Sequence, residues 1–185
     1  MRKKTVLIGS AVLVTNILTF SLGLYLGYGI RDSKSSSGSF SAVVSNVVDG
    51  DTIDVKWFRG ENRIRIIGIE APEVRRGAKL NAHAKELGVE PEVLLEFGHS
   101  VSKRLDERIG GKAVDLHFAD GKIQRDAFGR YLAYVYFEGM DINEWMLEEG
   151  LVWPRPEPHP KTSVYESMNK YARNLRLGVY RLKMR

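Results

Sequence analysis

The feature that most constrains this chain is an uncharged run of 26 residues, positions 5–30, directly behind the basic cluster Arg2, Lys3 and Lys4. As a helix rising about 1.5 Å per residue, the run would be roughly 39 Å long and could cross a hydrocarbon core of about 30 Å. A cleaved signal peptide would have a shorter apolar region and an Ala-x-Ala-like site, and none follows. The sequence therefore predicts a transmembrane anchor over residues 1–30. The rest of the chain would lie outside the cytoplasm, in a single-pass protein of the cell membrane; secretion after signal cleavage is the alternative.

A serine-rich segment at residues 31–40 follows and predicts a flexible linker. The soluble domain is therefore expected over residues 41–185. Runs rich in β-branched residues, separated by turn signals, predict five strands, of which the first three form an antiparallel meander: residues 41–48, 52–57, 63–69, 112–118 and 131–137.

Apolar residues at spacings of three and four predict a helix over residues 91–109. Capping-box patterns that start at Asp141 and Ser163 predict two more helices. Residues 77–90 show no clear pattern beyond a short helix near 82–87. Five strands and about three helices indicate an α+β fold, and their order fits a five-stranded β-barrel of the oligonucleotide-binding (OB) type.

The composition narrows the possible chemistry. The chain contains no cysteine, which excludes a disulfide scaffold, a cysteine-ligated zinc site and thiol catalysis. The formal net charge is +5, but residues 161–185 hold seven Lys and Arg against the single acidic Glu166. Together with the basic N-terminus, this leaves residues 40–160 acidic. A uniformly basic protein that coats nucleic acid is therefore disfavoured, and an acidic, metal-binding centre stays open.

Four carboxylates lie near two predicted strand ends. Asp49 and Asp51 flank a glycine between the first two strands, and Glu70 and Glu73 follow the third. Asp-Gly is also a common hairpin-turn sequence, so Asp49 and Gly50 alone do not indicate a metal site. Four carboxylates from two turns exceed what turn formation needs, however. Oxygen ligands without Cys or His beside them predict a site for Ca²⁺ or Mg²⁺ rather than zinc.

Two arginines accompany these carboxylates. Arg65 stands between isoleucines in the third strand, where a buried charge needs a partner. It is either a salt-bridge partner of Glu70 or Glu73, or a phosphate clamp beside the metal. Arg130, at the start of the fifth strand, is a second candidate clamp, because a guanidinium can bind two phosphate oxygens at once. Carboxylates, a divalent metal and two arginines together indicate phosphoryl transfer.

Over about residues 41–180 the chain resembles the thermonuclease family of staphylococcal nuclease-like domains. The motifs that carry the resemblance occur in the order expected for the family: Val47-Val-Asp-Gly-Asp-Thr52, Arg65-Ile-Ile-Gly-Ile-Glu-Ala-Pro-Glu73, Asp126-Ala-Phe-Gly-Arg-Tyr-Leu-Ala-Tyr134, and Asn143-Glu through Glu149-Gly-Leu151. The resemblance implies an OB-fold barrel with three helices and Ca²⁺-dependent hydrolysis of phosphodiesters in DNA and RNA.

The resemblance also implies roles for individual residues. Asp49, Asp51 and Glu70 would hold Ca²⁺, helped by the backbone carbonyl of residue 71. Glu73 would be the general base that activates water. The remaining pair, Arg65 and Arg130, would stabilise the pentacoordinate phosphorus. The expected substrate is single-stranded DNA or RNA, cleaved at the bond to the 5′ oxygen to leave 3′-phosphates, and no obligate protein partner is evident.

Several positions depart from the family pattern. Residue 70 is Glu where Asp is usual, Ala71 replaces a threonine, and Phe128 replaces a tyrosine that contacts the substrate phosphate. Residues 153–160 replace a segment with tyrosines that pack on the base, and residues 77–91 form an insertion at the rim of the expected site. These departures keep two alternatives open: a catalytically weakened OB-fold module that binds nucleic acid, and an exported structural domain that does not.

Overall fold

The computed structural model describes residues 39–184. The predicted anchor at residues 1–30 lies outside the described residues, as does nearly all of the predicted linker at 31–40. Between residues 39 and 184, no helix has the length and apolar character needed to cross a membrane.

The described chain alternates strands and helices. The strands are β1 (Ser39–Asp49), β2 (Thr52–Trp57), β3 (Gly60–Ile66), β4 (Ile69–Glu70), β5 (Ala113–His117), β6 (Gln124–Arg125), β7 (Tyr131–Phe137), β8 (Met140–Asp141) and β9 (Trp153–Pro154). The helices are α1 (Ala78–Leu87), α2 (Pro91–Ile109), α3 (Ile142–Glu148) and α4 (Thr162–Asn174), with 3₁₀ turns at Ala119–Gly121 and Gly178–Met184.

Five of the strands close into a barrel. The strands β1, β2 and β3 form an antiparallel meander, and β5 pairs antiparallel with both β1 and β7. The barrel closes through a parallel pairing of β3 with β7, in which Arg65 lies opposite Leu132. The α+β class and the five-stranded barrel of OB type are therefore confirmed.

Alternating apolar side chains fill the barrel. Ile53 and Val55 of β2 and Ile64 of β3 are all fully buried, as the alternating pattern of a half-buried strand requires. The helix α2 contributes Val101 and Leu105 to the same core. The barrel and α2 thus share one core, from which the loops at the ends of the strands extend.

The structure has four helices where about three are expected: the expected ones are present, and the 77–91 insertion adds α1. It begins earlier than the short helix expected near 82–87. Its side chains Leu80 and Ala84 are almost fully buried in a second apolar cluster that includes Leu94 of α2 and Val179. The distant residue Val179 completes this burial, so the local sequence pattern alone gives only a weak helix signal.

The two predicted capping boxes have different outcomes. Asp141 caps α3, with its Oδ1 accepting a hydrogen bond from the backbone N of Glu144 at 3.1 Å. The box predicted at Ser163 is wrong, because α4 begins at Thr162, two residues earlier than a Ser163 cap requires, and its N-cap residue, Lys161, makes no side-chain cap hydrogen bond. The Thr162 hydroxyl donates to the carbonyl oxygen of His159 and accepts from the His159 backbone N, both at 2.8 Å, and this reverse turn fixes the start of the helix.

Candidate active site

One open cavity of about 500 Å³ lies at the end of the barrel. It is bounded by the β1–β2 turn, the exit of β4, the start of β7 and the first turn of α1. All six residues predicted for the site line it: Asp49, Asp51, Arg65, Glu70, Glu73 and Arg130.

Asp51 is fixed by the turn between β1 and β2 and by the exit of β4. Its backbone N donates to Asp49 Oδ1 at 3.0 Å, and its own Oδ2 accepts from the backbone N of Ala71 at 2.9 Å. The side chain is buried, which raises the pKa of Asp51 to about 7; Arg65 opposes this effect, and the charges of Asp49 and Glu70 add to it. Burial and the neighbouring carboxylates thus disfavour the ionised form of Asp51, and a bound cation would favour it.

Arg65 links the carboxylates from the end of β3, where it is the second-last residue rather than a mid-strand one. The β2–β3 register pairs it with Thr52, next to Asp51. Its guanidinium lies 2.9 Å from both Asp51 Oδ1 and Glu70 Oε2. It also donates to three backbone carbonyls, those of Asp51, Ile66 and Ile69. Arg65 therefore pairs with Glu70, as expected, and also with Asp51, which was not expected. The other expected partner, Glu73, pairs with Lys79 instead.

Glu70 is held in place by a two-residue ladder. In the pairing of β4 with β9, Glu70 lies opposite Trp153. Burial opposes ionisation of the Glu70 carboxyl, but the hydrogen bond from Lys79 and the charges of Arg65 and Arg155 outweigh it and lower the pKa. Glu70 is therefore a carboxylate ready to bind a cation.

Glu73 depends on a close approach between its loop and α2. A Cβ added to Gly98 would lie 2.4 Å from the carbonyl oxygen of Glu73, a distance that real Cβ atoms do not tolerate. Only glycine at this position lets the loop rest on the helix. The Glu73 carboxylate is half-buried and lies 2.5 Å from Lys79 Nζ.

Lys79 is the main site residue that the sequence motifs miss. It belongs to the first turn of α1, and its Nζ lies 2.5 Å from both Glu70 Oε1 and Glu73 Oε1. Its side chain is 57% exposed. The inserted helix thus places an ammonium group between two of the predicted functional carboxylates, and no local sequence signal marks this lysine.

Arg130 is oriented by Asp126 in the turn before β7. Arg130 Nε lies 2.7 Å from Asp126 Oδ2, and Asp126 Oδ1 accepts from the backbone N atoms of Phe128 and Arg130. The turn needs a glycine at Gly129, where φ is +80°. Phe128 is 85% exposed and lines the cavity.

Arg155 is a second residue that the motifs miss. It follows β9, and its backbone N donates to the carbonyl of Gly68 at 2.9 Å. Its guanidinium lies 3.5 Å from Glu70 Oε2 and pairs through two hydrogen bonds with Glu157. Arg155 therefore occupies part of the segment in which the family pattern has tyrosines.

A neighbouring cavity of about 400 Å³ opens on the far side of Arg65, Arg130 and Arg155, which line both spaces. Its wall includes Leu132 of β7 and Pro158. Three guanidinium groups thus separate a carboxylate-rich space from a partly apolar one. This arrangement suits a ligand whose charged group and apolar group lie close together.

The donor set of the first cavity fits a hard divalent cation. Asp49, Asp51 and Glu70 supply only carboxylate oxygens, the ligand type that Ca²⁺ and Mg²⁺ prefer. The charges of Asp49 and Glu70 both act on the buried Asp51 carboxyl, so the three carboxylates are close enough to repel one another, and a shared cation would relieve this repulsion. Arg65 and Lys79 now hold oxygens of Asp51 and Glu70, so these two basic side chains have to yield ligand oxygens to an incoming cation.

Comparison with known proteins agrees with this geometry. A family model described as staphylococcal nuclease homologue matches residues 63–181. Endonuclease YncB of Bacillus subtilis is 30% identical over 149 residues, which are 80% of this chain and 61% of that protein. The SPbeta prophage-derived endonuclease YokF of the same organism is 31% identical over 127 residues, 69% of this chain and 38% of that protein.

A thermonuclease of Staphylococcus intermedius is 25% identical over 183 residues and matches almost end to end, with 96% of this chain and 98% of that protein aligned. The chain spans about three fifths of the length of YncB and less than half of YokF. The family model covers well over half of the chain and includes four of the six predicted site residues. The chain belongs to the family of staphylococcal nuclease homologues.

Proposed function

We propose that this chain is a Ca²⁺-dependent nuclease that hydrolyses phosphodiester bonds in DNA and RNA. The observation that carries the proposal is the convergence of four carboxylates and two arginines on one cavity of about 500 Å³. The stability of the barrel does not explain this set. Asp51 and Arg65 are both buried, and removing charged groups from water costs free energy.

Asp49, Asp51 and Glu70 would hold the calcium ion. When bound, Ca²⁺ would supply positive charge to a phosphate oxygen and orient the phosphodiester. The extra methylene of Glu70, relative to the aspartate usual in the family, extends the carboxylate into the cavity, where Lys79 meets it at 2.5 Å. Weak carboxylate sites of this kind suit the millimolar Ca²⁺ found outside cells.

The chain's own residues would carry the reaction. Glu73 would take a proton from the attacking water onto its carboxylate, which requires Lys79 to leave Glu73 Oε1. Arg65 and Arg130 would donate hydrogen bonds to the phosphate oxygens as negative charge builds up on them. Both guanidinium groups border the cavity, so neither has to cross the fold to reach a phosphate.

The neighbouring cavity would receive the nucleoside next to the scissile phosphate. Its volume of about 400 Å³ and its partly apolar wall at Leu132 and Pro158 fit a sugar and base. An unpaired base can enter such a space directly, whereas a paired base must first leave its stack. This favours single-stranded DNA or RNA as substrate.

The decisive experiment is cleavage of a single-stranded oligonucleotide with Ca²⁺ and with a chelator. We expect products only with Ca²⁺, and none from Glu73→Gln. Glu96→Gln, on the exposed face of α2, is the matched control and keeps wild-type activity. If the wild-type chain cleaves no faster than Glu73→Gln at millimolar Ca²⁺, the enzyme proposal fails, and the alternative of an OB-fold module that only binds nucleic acid takes its place.

We further propose that residues 1–30 anchor the nuclease domain outside the cytoplasmic membrane. The support is the 26-residue uncharged run behind Arg2, Lys3 and Lys4. N-terminal sequencing of the protein from a membrane fraction tests this. A mature N-terminus near residue 30–40 would contradict the anchor and indicate a secreted protein.

A further inference from the structure

The inserted helix α1 brings a histidine to the active-site carboxylates. One ligand atom from each of Glu70, Glu73 and His83 lies within 4.8 Å of the others. Glu70 comes from the exit of β4, Glu73 from the following loop and His83 from α1. The segment that follows β4 and the inserted helix therefore converge on one point.

The histidine is fixed by packing but lacks a polar partner. The His83 ring makes an edge contact with the Trp153 ring, with centroids 5.1 Å apart and planes at 86°. Trp153 in turn pairs with Glu70 in the β4–β9 ladder. His83 Nδ1 is shielded from solvent and has no hydrogen-bond partner among the described residues. A buried ring nitrogen without a partner is uncommon and is free to act as a ligand.

A positive charge already occupies the space between the two glutamates. Lys79 lies one helical turn before His83, and its Nζ is 2.5 Å from both Glu70 Oε1 and Glu73 Oε1. Since the Lys79 side chain is 57% exposed, it can swing into solvent without disturbing the core. The two carboxylates thus already bind one positively charged group, the Lys79 ammonium, and a metal ion can take its place.

We propose that Glu70, Glu73 and His83 form a second cation site, selective for a borderline divalent metal such as Mn²⁺, Co²⁺ or Zn²⁺. An imidazole nitrogen with two carboxylates suits these ions and not Ca²⁺, which takes oxygen ligands. A metal with ligand distances of about 2.0–2.2 Å holds ligand atoms that are roughly 3–4 Å from one another. The three ligand atoms lie within 4.8 Å of one another, so small side-chain rotations would complete the site. This inference goes beyond the proposed calcium role and assigns a metal-binding residue to the insertion. Because the site shares Glu70 and Glu73 with the proposed catalytic site, an ion bound there would inhibit cleavage rather than support it.

The test is a titration with Co²⁺ of the purified chain without a polyhistidine tag, followed by visible absorption. We expect saturable binding of one ion. His83→Ala should raise the dissociation constant at least about tenfold, as loss of metal-site contacts typically does. His99→Ala, an exposed histidine on α2, is the matched control and should bind as the wild type does. Lys79→Met should bind more tightly, because the competing ammonium is gone.

A second measurement needs no variant. In the NMR spectrum of the wild-type chain, Co²⁺ should broaden or shift the ring protons of His83 before those of His99. Equal affinity of His83→Ala and His99→Ala, or a His83 ring that does not respond to Co²⁺, would overturn the inference. Because binding is read without nucleic acid, such a result leaves the proposed Ca²⁺-dependent cleavage standing. If the wild-type chain binds Co²⁺ as expected but does not cleave nucleic acid with Ca²⁺, only the proposed function fails.

Discussion

The Arg130 guanidinium is held by Asp126, with Nε 2.7 Å and Nη2 2.6 Å from the same carboxylate oxygen, Oδ2. The other oxygen of Asp126 accepts two backbone hydrogen bonds within the turn. One aspartate therefore shapes the turn and aims the arginine. Because Nη1 is not used by Asp126 and lies 3.5 Å from the Thr52 hydroxyl, that nitrogen remains available to a phosphate.

We expect Arg130→Lys to lower kcat about a hundred- to a thousand-fold, the usual effect of removing one donor that stabilises transition-state charge. Lysine keeps the charge, but its single ammonium group cannot bind Asp126 through two nitrogens and present a third to a phosphate, as the guanidinium does. The fold should survive, since Arg130 precedes β7 and is only half-buried. Steady-state kinetics on a short oligonucleotide, with thermal unfolding in parallel, measure both effects, and Arg104→Lys is an exposed control. A rise in KM with kcat unchanged would mean that Arg130 only positions the substrate.

Arg65→Lys should reduce activity and stability together. The Arg65 guanidinium is 5% exposed and serves two carboxylates and three backbone carbonyls. A lysine ammonium cannot reach all of them, so buried acceptors would lose donors at a cost of about 1–3 kcal/mol. Urea unfolding measures this loss in the free energy of unfolding. Arg63→Lys, two residues away on β3 with a 52% exposed side chain, is the matched control. Equal stability of the two variants would contradict the prediction.

Local patterns predict the barrel strands well and the inserted helix poorly. The strands at 52–57 and 131–137 and the helix at 91–109 have the predicted bounds, because their apolar spacing is set within each segment. The helix α1 differs, since its buried residues, Leu80 and Ala84, pack against partners that lie elsewhere in the chain. No window of the sequence contains that information.

The site residues likewise divide into those that local sequence patterns predict and those that only contacts between distant segments bring in. The residues predicted from motifs lie at strand ends, where sequence order already implies proximity. Lys79 and His83 reach the site only because α1 packs back onto the cavity. Arg155 arrives through a ladder of two residue pairs, which is too short to leave a strand signal. Polar residues on a short helix resemble any solvated surface, so only the fold shows their role.

Lys79→Met should lower the Ca²⁺ concentration needed for half-maximal cleavage, by roughly three- to tenfold. The Lys79 ammonium sits on Glu70, a proposed Ca²⁺ ligand, and its exposure keeps the electrostatic penalty of displacing it modest. Methionine retains the length of the side chain without the charge. Lys85→Met, on the exposed face of the same helix, controls for the general loss of positive charge. An unchanged or higher Ca²⁺ requirement would show that Lys79 does not compete with the metal.

The buried carboxyl of Asp51 should make the metal-free protein less stable as pH rises. Burial raises its pKa from 3.8 to about 7 in the folded state. Between these values the folded state holds the proton that the unfolded state has released, so the free energy of unfolding falls across this window. The effect is opposite in sign to that of Asp54, whose pKa is lowered by its hydrogen bond from Arg63.

Asp51→Asn should therefore be more stable than the wild type near pH 8, by on the order of 1–3 kcal/mol, with the difference vanishing near pH 4. The amide oxygen can still accept from the backbone N of Ala71, as Oδ2 does at 2.9 Å, and it carries no charge to desolvate. Asp54→Asn is the matched control and should be less stable than the wild type near neutral pH. Urea unfolding with a chelator, across this pH range, measures both differences. A less stable Asp51→Asn near pH 8 would show that the ion pair with Arg65, at 2.9 Å, outweighs the cost of burying the Asp51 carboxylate.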